Sequence, residues 1–183
     1  MYSKNIALAL VAGTLSILST VECKWDLWGC PNVQLESSFN LNNYVGMWYE
    51  HVRDKYVFYE TGDCVQARYT IQGDGTVEVR NSERKPGDST IKPARAAQGY
   101  PRSTTTPYLY VSFFYIDRNK YEIVATDHTN YAVVRSCTEY VLGLFHEEVF
   151  WILLRDSTKP AGVVATAENI IKTRAPHYDY SSL

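Results

Sequence analysis

Asn43-Tyr44-Val45-Gly46-Met47-Trp48-Tyr49-Glu50 opens the first apolar, strand-like run of the chain and sets a glycine two residues ahead of a tryptophan. Glycine allows a tight approach of the backbone that a side chain would obstruct, leaving room for the Trp48 indole to turn inward. Gly-x-Trp alone is a weak signal. Its weight comes from Arg155, which ends the distant run Phe150-Trp151-Ile152-Leu153-Leu154-Arg155-Asp156. A guanidinium ending one strand can lie on the face of a tryptophan starting another, worth about 0.5–2 kcal/mol depending on desolvation. First and last strands then meet, which predicts a closed barrel.

Length and composition agree with one compact domain: 183 residues, 45% hydrophobic, net charge −2. That charge balance gives no reason to expect a nucleic-acid partner. Fifteen tyrosines suit pleated sheet, where an aromatic body packs and a polar tip reaches solvent or ligand.

Lys4 precedes an apolar run from Ile6 to Leu18, followed by Ser19-Thr20, the layout of a secretory signal peptide. Residues 1–20 are assigned to it, with cleavage anywhere from 19 to 23, and residues 21–183 form the mature domain. The run falls short of the roughly 20 apolar residues that span a bilayer, so the expectation is a secreted, extracellular protein and not an integral membrane protein. An oxidising compartment favours disulfides among Cys23, Cys30, Cys64 and Cys137. Four cysteines allow three pairings that spacing cannot rank. Cleavage beyond Cys23 leaves one thiol over. With no Cys-x-x-Cys pair, a structural zinc site is not expected.

After an irregular arm over Lys24 to Asn40, period-two alternation and turn residues mark the strands. They run from Trp48 to Val52, Cys64 to Ile71 and Thr76 to Asn81, the last two joined by Gln72-Gly73-Asp74-Gly75 as a hairpin turn. The polar stretch from Asn81 to Gly99 is expected to hold two short strands. Tyr108 to Tyr115 turns Leu109, Val111 and Phe113 to one side and Tyr110, Ser112 and Phe114 to the other. Lys120 to Thr126 and Tyr131 to Cys137 form a further hairpin, and Glu148 to Arg155 is the closing strand. Evenly spaced antiparallel strands favour an all-β fold, an eight-stranded up-and-down barrel with room for one small ligand. Asp156-Ser157-Thr158 supplies capping side chains, and Pro160 begins a helix to about Arg174. Its Val163, Val164, Ala167, Ile170 and Ile171 share a face that should pack outside the sheet.

Three stretches in order now resemble the lipocalin family: Gly46-Met47-Trp48, Thr126-Asp127-His128 with Asn130-Tyr131-Ala132, and Leu154-Arg155-Asp156. His128 is a departure, standing where the family more often has another residue. Cys30-Pro31, Cys64-Val65-Gln66-Ala67-Arg68-Tyr69 and Asn130 through Cys137 are similar to the apolipoprotein D and insect bilin-binding branch. The resemblance implies a Cys30–Cys137 disulfide and leaves Cys64 either bonded to Cys23 or free. It implies a carrier of small hydrophobic molecules that requires no cofactor, with a bilin or a lipid as bound species. Matched to the branch, the ligand contacts are Tyr44, Val65, Ala67, Tyr69, Val79, Asn81, Phe113, Val134, Val149, Trp151 and Leu153. Gly46, Trp48, Thr126, Asp127 and Arg155 take structural roles. A cell-surface receptor and a homo-oligomer are the partners left open.

Three other classes compete. A free Cys64 could serve as a nucleophile, but the sequence shows no cysteine–histidine arrangement to activate it. His51, His128, His146 and His177 could bind haem or metal, yet no two share one strand face closely. Exposed Tyr110 and Phe114 would suit a pigment- or protein-assembly role.

Overall fold

A computed structural model describes residues 26–57, 59–113 and 119–183. The proposed signal segment, Cys23 and Phe114 lie outside these. Strands β1 (Asp26–Leu27), β2 (Gly46–Arg53), β3 (Asp63–Ile71), β4 (Val77–Arg84), β5 (Lys92–Pro101), β6 (Tyr108–Ser112), β7 (Asn119–Thr126), β8 (Tyr131–Tyr140) and β9 (Phe145–Leu154) are joined by helices α1 (Leu41–Tyr44) and α2 (Ala161–Arg174). Each of β2 to β9 pairs antiparallel with the next, and β9 also pairs with β2, so eight strands close into a barrel. β1 pairs with the start of β9, placing Leu27 opposite Phe145.

The stretch expected to hold two short strands contains one long one, β5, and this brings the barrel count to eight. Ala94, Ala96, Ala97 and Gly99 give it little hydrophobic alternation. Its place is fixed instead by the ladder to β4, from Val77 opposite Gly99 to Glu83 opposite Lys92. The cap of α2 also differs from expectation. Pro160 is the N-cap, without a side-chain bond; Asp156 Oδ1 accepts from the Thr158 amide at 2.8 Å and closes the preceding turn.

Two apolar layers share the sheet. The inner one holds Tyr44, Trp48, Val77, Leu109, Ile123 and Val134. The outer one places Val133, Phe150, Ile152 and Leu154 against Ala167 and Ile171 of α2, with Val163, Val164 and Ile170 at its margin. The second half of β9, from Val149 to Leu154, is covered on both faces, hence its unbroken apolar run. The N-terminal arm is tied to β8 by the Cys30–Cys137 disulfide. Beside it, buried Arg135 binds Glu122 at 2.7 Å, Glu148, and the Pro31 carbonyl at 2.8 Å.

Candidate ligand cavity

The closed end of the barrel is fixed by Arg155. Its guanidinium donates to the carbonyls of Asn43, Tyr44, Val45 and Met47 at 2.6–3.1 Å and to that of His128 at 3.1 Å. Gly46 has φ +102, and a Cβ there would lie 3.2 Å from Arg155 Nη1, so both backbone and clamp demand glycine. Asp127 Oδ1 accepts from the amides of Thr129, Asn130 and Tyr131 at 2.7–3.1 Å. Burial opposes ionisation of Asp127, but the bonds from Asn130, Tyr131 and Thr129 outweigh it and hold the carboxyl below its ordinary value. Thr126 Oγ1 donates to the Tyr131 carbonyl at 2.7 Å. The three motifs thus form one structural unit at the base.

Above Trp48 lies an aromatic floor. The Tyr44 ring centroid is 5.2 Å from that of Trp48 and 5.5 Å from that of Tyr69. The Tyr121 hydroxyl lies 2.8 Å from both the Tyr44 and the Tyr69 hydroxyl. Burial is the main cause pushing all three phenols up, so they stay neutral and satisfy one another.

Over this floor opens a cavity of about 110 Å³. Val65, Ala67 and Tyr69 of β3, Val79 of β4, Val111 of β6, Phe113, and Trp151 and Leu153 of β9 form its apolar wall. The two-residue spacing within each strand puts these side chains on one face. Asn81, Tyr121 and Ser136 add polar groups, with Asn119 and Lys120 also on the lining. Glu50, and Tyr59 and Glu60 from the loop after β2, complete it. Burial, and then the charge of Glu60, raise the Glu50 carboxyl from 4.5 to about 7, against the opposing pull of Arg53.

Eight of the eleven residues inferred as ligand contacts therefore stand on this cavity: Val65, Ala67, Tyr69, Val79, Asn81, Phe113, Trp151 and Leu153. Tyr44 does not: it is a fully buried member of the floor. Val134 is sealed in the core between Ile123 and Trp151, its ladder neighbours. Val149 is buried opposite Ser136, and it is Ser136 that reaches the lining. Sequence reasoning missed Glu50, Tyr59, Glu60, Val111, Asn119, Lys120, Tyr121 and Ser136. For Glu50 a signal existed, two residues beyond Trp48 on the same strand face; for Tyr59 and Glu60, in a loop, none did.

No histidine lines the cavity. His128 accepts from the Asn40 amide at 3.1 Å, His146 Nδ1 lies 2.7 Å from the Trp28 carbonyl oxygen, and His177 lies 3.0 Å from Glu148. His51 lines a separate groove on the outside. Among the described residues, no group of three His, Cys, Asp or Glu is placed to hold a metal. Cys64 is exposed with a free thiol beside the Asp63–Arg84 ion pair at 2.8 Å. Tyr110 is exposed on the outer surface. No helix among the described residues is long and apolar enough to cross a membrane.

Comparison with known proteins places this geometry. Apolipoprotein D of Cavia porcellus is 36% identical over 143 residues, covering 78% of this chain and 74% of that one. Outer membrane lipoprotein Blc of Vibrio cholerae is 31% identical over 146 residues, covering 78% and 82%. Among solved structures, insecticyanin from the tobacco hornworm Manduca sexta superposes with a TM-score of 0.68 at 21% identity, over 86% of this chain and 85% of that one. H1 crustacyanin from the lobster Homarus americanus gives 0.69 at 22% identity, over 86% and 87%. A family model described as the lipocalin-like domain matches residues 39–183, from the base helix to the last residue, and the chain belongs to the lipocalin family.

Proposed function

We propose that this lipocalin is a secreted carrier or store for one small hydrophobic ligand held in the barrel, of the class of bilins, lipids, steroids or retinoids. The observation that carries this is the cavity, apolar on its strand walls and floored by neutral, mutually bonded tyrosines. Affinity would come from apolar burial, about 25 cal/mol per Å² before the losses of ordering and immobilisation. A few polar groups would set the ligand's orientation. A disulfide between the N-terminal arm and β8 suits an oxidising compartment, which supports secretion.

The test is to purify the protein from its natural source, record its absorption spectrum, and identify the organic extract by mass. A visible band or an extracted lipid is the expected result. An empty cavity that takes up no hydrophobic probe would overturn the proposal.

Assembly of two copies draws on a different observation. Leu27, Trp28, Val141, Leu142 and Leu144 are exposed at the β8–β9 turn, where the Trp28 amide donates to the Leu144 carbonyl at 2.9 Å. Sedimentation of the native protein and a Leu142→Ser variant would distinguish it: a dimer lost in the variant supports it, and a monomer at every concentration excludes it.

A further inference from the structure

The cavity wall carries more negative than positive charge. Glu50 and Glu60 both line it, and Arg53 is the cation that serves them. Arg53 donates to Glu50 Oε1, while its Nε lies 3.9 Å from Glu60 Oε2. Its Nη2 is taken by the Glu60 and Gly62 carbonyls at 2.6 and 3.1 Å. Two carboxyls thus share one guanidinium. Trp151 Nε1 also donates toward Glu60 at 3.4 Å.

Other cations near the cavity are turned elsewhere. Lys120 lines the lumen, but its ammonium sits 2.6 Å from Glu122, itself bound by Arg135, and 4.6 Å from the Tyr108 ring centroid. Arg95, opposite Asn81 in the ladder, shares a small adjoining cavity with Glu60 and Asn81, but its guanidinium is engaged by Tyr59: it donates to the Tyr59 carbonyl, and its carbon lies 5.2 Å from the Tyr59 ring centroid. The electrostatic signature reaches the phenols. After burial, the charges of Glu60 and Glu50 are further causes that raise Tyr69, and both also raise Tyr59. An independent feature points the same way: Asn81, also on the lining, has a buried Oδ1 that accepts no hydrogen bond. A buried acceptor without a donor is costly and calls for one from whatever fills the space.

We propose that the hydrophobic ligand carries a protonated amine directed at Glu50, Glu60 and Asn81, and that the cavity selects it over a carboxylate of equal chain length. This rests on the carrier reading and specifies its ligand chemistry. An ammonium has three donors and no acceptor, so it can meet a carboxylate and the Asn81 oxygen together. It also supplies the second positive charge that the Glu50–Glu60 pair lacks. A carboxylate would bring a third negative charge to one guanidinium, in a site where water screens little.

Decylamine, decanol and decanoate, competing at about pH 8 against the neutral fluorophore N-phenylnaphthylamine, separate the two readings. At that pH the amine and the acid are both ionised. Decylamine is expected to displace the probe at least about tenfold more effectively than decanoate, with decanol between them. In a Glu50→Gln, Glu60→Gln double variant the amine-to-acid ratio should fall to near one while decanol is unchanged. Unchanged decanol binding shows that the variant keeps its cavity. Decanoate binding as well as decylamine, or a ratio unaltered in the variant, overturns the amine proposal alone. If neither the fluorophore nor decanol binds the wild type, the carrier reading falls, and the amine proposal with it.

Discussion

The Arg155 guanidinium carbon lies 3.7 Å from the centroid of the Trp48 ring, and the two residues lock the first barrel strand to the turn that follows the last. The indole is fully buried and donates to the Tyr44 carbonyl at 2.8 Å. The same Arg155 binds carbonyls on both sides of the barrel's closed end. Replacing it takes a donor from four part-buried carbonyls, of which that of Tyr44 keeps the Trp48 indole. Arg155→Ala should cost about 3 kcal/mol of unfolding free energy, measured by urea denaturation. A loss below about 1 kcal/mol would show that water replaces the clamp.

Tyr121→Phe removes the hydroxyl that both Tyr44 and Tyr69 meet. Tyr44 is fully buried with no solvent to turn to, and Tyr69 meets only the cavity. The variant should lose about 2–3 kcal/mol while its overall fold, read by circular dichroism, is unchanged. Tyr44→Phe should cost less, since Tyr69 and Tyr121 keep each other.

Cys30 and Cys137 close a loop of sequence separation 107. A double serine variant frees the N-terminal arm in the unfolded chain and should lose about 4–5 kcal/mol on the chain-entropy view. Denaturation with and without reductant checks it: reductant should destabilise the wild type and leave the variant unmoved.

Glu50 makes stability depend on pH. Its carboxyl is raised from 4.5 to about 7 by burial and then by Glu60, with Arg53 opposing. Below 4.5 folded and unfolded chains both hold the proton. Between 4.5 and about 7 only the folded chain holds it, so stability falls as pH rises through that window and then levels. The loss is at most about 3 kcal/mol. Chemical denaturation at about pH 5 and about pH 8 should show the protein weaker at the higher value, and Glu50→Gln should flatten that difference. A wild type equally stable at both would sink the assignment.

Ala67→Trp places an indole in the lumen opposite Trp48 in the ladder. Uptake of N-phenylnaphthylamine should fall at least about tenfold, with the barrel's sheet spectrum kept. Uptake at the wild-type level would place the probe outside the cavity.

The barrel was legible because two kinds of signal coincide. Period-two alternation survives wherever one face is apolar, as in Val65 through Ile71, and Trp48 with Arg155 shows that the sheet closes. β5 carried no such pattern, since its alanines and glycine are placed by a partner strand and not by their own hydrophobicity. α1 is four residues long, too short for any helical period to be seen. For the apolar half of the cavity, strand parity grouped Val65, Ala67 and Tyr69 on one face, and the resemblance to the lipocalin branch turned that face inward. The charged half followed from neither: Glu60 reaches the lumen from a loop, where neighbours and not spacing decide direction. On β2 the ladder shifts between Glu50 and Val52, so alternation fails where Arg53 meets its carboxylates.

The contacts that Arg155 makes at the base are to main-chain oxygens. Asn43, Tyr44, Val45, Met47 and His128 serve it through their peptide groups, so the clamp makes no demand on the identity of their side chains. This explains how an unusual histidine can stand at position 128 without loosening the base. Drift at Asn43, Val45, Met47 and His128 therefore leaves the clamp its acceptors provided the arginine and the glycine at position 46 remain. The base can hold its shape while residues round the lumen are free to adapt to new cargo.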